Sequence, residues 1–176
     1  MTETTESTLP AAGTFSITDA RVVRAIELVW REAALLDAKE YHAWEALYAE
    51  DGRYVIPIER DAQNFDDVLN MVYDDAKMRS ARVVRMTEGY SMAAVDAATT
   101  VRTVSRFIPL AVSDDEVTMR AGQILVAFKR GHHHLWAADV DYTVRLGTDS
   151  GQDRLMSKVV RLVDADAAVP AAGFLL

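Results

Sequence analysis

Residues 32–57, EAALLDAKEYHAWEALYAEDGRYVIP, decide how the rest of the chain is read. Just upstream and into this stretch, Val22, Ile26, Val29, Trp30, Ala33 and Leu36 recur at the spacing that places side chains on one face of a helix. Asp37 interrupts the stripe. Tyr41, Trp44, Leu47 and Tyr48 then mark a second, shorter helix that stops near the Asp51-Gly52 turn. Tyr54, Val55 and Ile56 form a brief strand, which Pro57 ends.

Toward the N-terminus, Ser16 followed by Asp19 fits a capping box that starts the first helix. Residues 1–15 are rich in Thr, Ala, Ser and Glu and offer almost nothing to bury, so they read as a mobile arm ahead of a single domain, 16–176. Toward the C-terminus, 58–65 reads as a polar loop. Asp66 and Asp67 suit the first turn of a third helix running through Met71, Val72 and Met78 toward Val83 and Met86, because a helix dipole favours negative charge there.

From Thr99 the period changes to two. Val104, Arg106, Ile108 and Leu110 alternate with Val101, Thr103, Ser105 and Phe107 in one long strand, and Asp114-Asp115 turns the chain into a second, Val117 to Lys129. Past Gly131, Trp136, Ala138, Val140, Tyr142, Val144 and Leu146 share a face while Asp139, Asp141 and Arg145 take the other. The run GTDSGQD, 147–153, is a loop, and Arg154 to Val163 gives a fourth strand. Three helices followed by four long antiparallel strands predict an α+β fold: a strongly curved sheet whose concave side the helices close.

Composition narrows the function classes. Half of the 176 residues are hydrophobic, enough for one core without staples. The chain has no cysteine, which excludes disulfides, a thiolate nucleophile and a cysteine-ligated cluster. A net charge of −8 gives nucleic acid nothing to bind. The opening MTETTESTLPAAGTFS has no basic segment followed by an apolar run, and no long apolar stretch occurs, so a cytoplasmic protein without membrane contact is expected.

Four segments in order carry a family resemblance: 32–57, ARVVRMTEGYSM (81–92), QILVAFKRGHHHLWAADVDYTVRL (123–146) and RLMSKVVRLVDADAAV (154–169). Together they resemble the small, or beta, subunit of Rieske-type aromatic-ring-hydroxylating dioxygenases, within the NTF2-like (SnoaL-like) cone folds. The chain departs from that pattern at VRTVSRF (101–107), where Val104 and Arg106 stand in place of a His and an Asn. The resemblance implies a beta subunit of an α3β3 assembly, self-associated as a trimer. Its alpha subunit would hold the Rieske [2Fe-2S] cluster and a mononuclear non-haem iron, using electrons from NAD(P)H in aromatic compound catabolism. By the same resemblance the beta chain scaffolds and carries no cofactor or catalytic residue. The alternative is a stand-alone NTF2-like dehydratase, isomerase or cyclase with a small hydrophobic substrate in the cone.

Two constellations are candidate sites. Asp37, Tyr41 and His42 could serve the enzyme reading, the acid or His as base and the Tyr hydroxyl stabilising an oxyanion. The preferred reading makes Asp37 a cap at the helix junction, whose loss in Asp37→Ala costs about 1 kcal/mol, and the aromatics core. His132 and His134 fall on one strand face about 7 Å apart and with Asp139 could imitate an iron triad. An exposed hairpin end or an intersubunit contact suits them better, so no metal ligand is assigned. Arg102, Arg106 and Arg120 suit either a charged patch or an interface, and the acids Asp66, Asp67, Asp74 and Asp75 a solvated helix face.

Overall fold

The computed structural model describes residues 15–88, 98–165 and 174–176. Residues 1–14 of the arm assigned to 1–15, and parts of the segments 81–92 and 154–169, lie outside them. Three helices are present among the described residues: α1 (Ala20–Asp37), α2 (Tyr41–Glu45) and α3 (Ala76–Thr87). Six strands form one sheet: β1 (Tyr48–Pro57), β2 (Asn70–Asp74), β3 (Thr99–Val112), β4 (Glu116–Lys129), β5 (His132–Arg145) and β6 (Arg154–Leu162). Their order is β2-β1-β6-β5-β4-β3, antiparallel except that β1 runs parallel to β6. The sheet is therefore mixed, and the fold is α+β.

Asp19, rather than Ser16, caps α1, its carboxylate accepting from the Arg21 backbone N–H at 2.9 Å. Hydrogen bonds from the Arg21 side chain and then its backbone hold the Asp19 carboxyl down at about 2. The expected stripe buries Val22, Ile26, Val29, Ala33 and Leu36, but it also buries Glu32 and leaves Trp30 55% exposed. Trp30 instead stacks edge-on against Phe107 at 6.1 Å and donates to the carbonyl of Val104 in the edge strand β3. An edge carbonyl is thereby capped.

The third helix departs from expectation. Asn70–Asp74 form β2, pairing with β1 in the register Ile56↔Val72 and Tyr54↔Asp74, and α3 begins only after Asp75. Asp75 is the cap, accepting from the Met78 N–H at 2.8 Å. Asp66 and Asp67 lie in a loop where Asp66 accepts from the Tyr73 hydroxyl at 2.7 Å. Residues 70–74 pair as a strand because β1 offers an unpaired edge, and ladder pairing outweighs the weak helical propensity of MVYDD. β1 is also longer than the expected brief strand because Gly52 lets it pass close to β6: a Cβ there would meet the Leu155 carbonyl oxygen at 2.7 Å.

The four long strands stand where the period-two reading placed them. On β5 the alternation buries Trp136, Ala138, Val140, Tyr142 and Val144 against the helices. On β3 the alternation breaks between Ser105 and Ile108, where the register shifts and Arg106 adopts φ 54°. The core lies between α1, α2 and the inner sheet face, with Trp44 wholly buried and edge-on to Tyr48 at 5.2 Å and Tyr54 at 5.7 Å.

Candidate functional site

The interior of the fold is polar at its centre. Glu32 of α1 and Lys158 of β6 are both 0% exposed, and their Oε1 and Nζ atoms are 2.7 Å apart. Trp44 of α2 donates its indole N–H to the same Glu32 oxygen at 2.9 Å. Burial pulls the Lys158 amine below its ordinary pKa, against the opposing charge of Glu32. The ammonium also lies 5.8 Å from the Tyr54 ring centre and 5.9 Å from that of Tyr142.

This polar centre is already occupied by the chain itself. Lys158 donates to the main-chain oxygen of Leu176 at 2.9 Å. The Tyr54 hydroxyl donates to that same oxygen at 3.0 Å and accepts from the Leu176 N–H at 3.1 Å. Arg102 of β3 donates to the carbonyl of Leu175, and Phe174 packs edge-on against Trp136 at 5.1 Å. Residues 174–176 thus sit in the interior against Tyr54, Arg102, Trp136 and Lys158.

Asp37, Tyr41 and His42 have separate surroundings. The Asp37 carboxylate accepts from the Thr100 hydroxyl and the Arg102 backbone N–H, each at 2.7 Å, and from the Arg102 guanidinium. It ties α1 to β3 and is not a cap at the helix junction. Tyr41 is buried, with no partner for its hydroxyl among the described residues; burial raises its pKa and the Arg102 charge partly counters this. His42 points to solvent on the other side of α2.

The remaining candidates separate by face. His132, His133 and His134 are exposed at the β4–β5 hairpin, with His133 against Phe128 and His134 against Trp136. No group of three metal-binding side chains occurs among the described residues. Asp139 and Asp141, on the face opposite Trp136 and Tyr142, each bind two arginines on the outer sheet face: Arg60 and Arg106 for Asp139, Arg120 and Arg161 for Asp141. Arg102, grouped with Arg106 and Arg120 in the sequence, is buried on the opposite face. Asp74 is buried against Arg82 and is not part of a solvated acidic face.

Glu32 and Lys158 escaped the sequence reading. A signal for them exists: a carboxylate within the apolar stripe of one element and an amine in phase with Val160 and Leu162 on another.

An interior lined by α1, α2 and the helix-facing side of a mixed sheet defines an NTF2-like fold. A solved NTF2-like protein with a cystatin-like fold from Novosphingobium aromaticivorans superposes with a TM-score of 0.56 at 16% identity, over 89% of this chain and 96% of that one. The ring hydroxylating beta subunit family profile matches residues 31–166, and the chain belongs to that family. The small oxygenase component of the p-cumate 2,3-dioxygenase system of Pseudomonas putida is 30% identical over 135 residues, covering 75% of this chain and 73% of that protein. In fold the chain also resembles the beta subunit of benzoate 1,2-dioxygenase from Burkholderia mallei, with a TM-score of 0.67 at 21% identity over 84% of this chain and 93% of that one. Naphthalene 1,2-dioxygenase with indole bound gives a TM-score of 0.74 at 17% identity, over 89% of this chain and 86% of that one.

Proposed function

We propose that this chain, as one domain from residue 16 onward, is the scaffolding small subunit of an aromatic-ring-hydroxylating dioxygenase of the cytoplasm. In this reading it assembles with a large subunit in an α3β3 complex and contributes no catalytic residue. The large subunit carries the Rieske cluster and the mononuclear iron. A chain without cysteine cannot supply the thiolates of a Rieske centre. No helix among the described residues is long and apolar enough to cross a membrane.

The observation that carries the reading, beside family membership, is the filled interior. Lys158, Tyr54 and Arg102 each donate a hydrogen bond to the main chain of Leu175 or Leu176. The stand-alone dehydratase, isomerase or cyclase would need that space for substrate, and its acid, Asp37, already accepts three bonds. Co-expression with a Rieske-type large subunit tests this. The expected result is a stable complex that hydroxylates an aromatic ring, with all iron on the large chain. Turnover of a small hydrophobic compound by this chain alone overturns it.

A further inference from the structure

Beside the N-terminal half of α1 an apolar groove of about 510 Å3 separates the helix from the bulged part of β3. Ile17, Val23, Ile26 and Trp30 line it on the helix side, Val104 and Phe107 on the strand side. Ile17, Val23 and Trp30 are all exposed, and the edge-on Trp30–Phe107 pair forms part of the wall. The groove holds one acid, Glu27, and one base, Arg106, so its own charges favour neither sign. Contiguous apolar surface of this kind marks a place that another segment covers.

The chain itself leads there. The described residues begin at Phe15, two positions before Ile17 on the groove wall, and residues 1–14 precede them. Between them and α1 the chain makes a turn, closed by the Asp19 N–H donating to the Ser16 carbonyl at 3.2 Å. A turn reverses the direction of the chain, so the residues before it head back along the helix. Trp30 lies about 15 Å beyond the start of α1 at 1.5 Å per residue. An extended chain advances about 3.3 Å per residue, so the stretch from Phe15 back to Leu9 spans about 20 Å.

We propose that this groove seats the chain's own N-terminal arm, with Leu9 and Pro10 against Trp30 and Phe107. Leu9-Pro10-Ala11-Ala12 is the apolar run of an otherwise polar arm, and Pro10 biases itself and Leu9 toward the extended backbone that the reach requires. Further back the arm carries Glu3 and Glu6 and no lysine or arginine, and Arg31, exposed and next in sequence to Trp30, offers the opposite charge. The short tether favours this arm over that of a second copy, because it holds Leu9 near the groove at an effective concentration in the millimolar range. No partner subunit is needed for this seat.

The test uses the full chain. It has no cysteine, so Ser7→Cys gives a single attachment point for a nitroxide. With the nitroxide on the isotope-enriched chain, diluted into excess unenriched chain, the amide signals of 23–30 and 104–107 should broaden. Leu9→Asp should abolish the broadening and Thr2→Asp should leave it. Acrylamide quenching reads the same contact, since Trp44 and Trp136 are buried and Trp30 is the accessible indole. Leu9→Asp should raise the quenching constant at least twofold, again unlike Thr2→Asp. Broadening seen only when the nitroxide and the isotopes are on different chains gives the groove to a second copy and overturns the proposal. So does the absence of broadening, or quenching that Leu9→Asp leaves unchanged while a large subunit suppresses it.

Discussion

Lys158 and Glu32 form an ion pair across the core, 2.7 Å from Nζ to Oε1 with neither side chain reaching solvent. Their elements are α1 and β6, far apart in sequence, so the pair locks the helix layer to the sheet. Such a pair contributes little relative to an apolar replacement, but removing one partner strands a buried charge.

Lys158→Met is expected to destabilise the fold by about 3 to 5 kcal/mol because Glu32 is left with only the Trp44 indole. Adding Glu32→Leu should return most of that loss. Urea denaturation of the two single variants and the double variant measures the coupling; strictly additive losses would mean that the two groups do not act as a pair.

Asp37→Ala should cost about 3 kcal/mol, well above the loss of a simple cap, because it leaves the buried Arg102 guanidinium without its carboxylate. Asp37→Asn should lose less by keeping acceptors for Thr100 and the Arg102 N–H. Equal, sub-kilocalorie losses in thermal or chemical melts would return Asp37 to the role of a local cap.

Phe174→Ala removes the ring that packs on Trp136 and should cost about 3 kcal/mol through the cavity it leaves. Amide exchange at Leu176, whose N–H is held by Tyr54, should accelerate in parallel. An unchanged exchange rate would mean that residues 174–176 are seated independently of that ring.

Alkaline pH should destabilise the protein steeply. Burial first, and the nearby Glu32 charge after it, push the Tyr48 and Tyr142 hydroxyls well above their ordinary range, and burial raises Tyr54 likewise. The unfolded chain releases these protons near pH 10 while the folded one keeps them, so their contribution is present below about pH 10 and lost above it. Lys158 acts in the opposite sense between its lowered pKa and about pH 10, where the unfolded chain binds the extra proton. Tyrosinate absorbance should show these three tyrosines ionising only together with unfolding; early, independent ionisation would place them in contact with solvent.

At the acid end, burial tends to raise the Asp141 carboxyl, but hydrogen bonds from Arg120 and Arg161 outweigh it and its pKa is lowered. Its contribution is therefore present above about pH 4 and lost as pH falls through the folded-state value. Asp141→Asn should flatten the stability profile in that acid window. A profile identical to that of the unmodified chain would show that Asp141 adds nothing there.

Much of the fold was legible because the signals were local. A period near three to four at Val22 to Leu36 and a period of two at Trp136 to Val144 each follow from which side of one element faces the core. The absence of cysteine likewise excludes a Rieske ligand set from this chain. The segments 69–74 were not legible, since MVY suits helix and strand alike and only the free edge of β1 decided between them.

The sequence by itself determined the class: an acidic, thiol-free α+β chain whose ordered segments mark a dioxygenase beta subunit. Tertiary structure decided what each charge does. It buried Glu32 against Lys158, gave Asp37 to Arg102, set Asp139 and Asp141 among four arginines, and placed Leu175 and Leu176 against Arg102 and Lys158. The physical reason is that hydrophobic periodicity is written within single elements, whereas a charge finds its partner only when distant elements pack together and water is excluded between them.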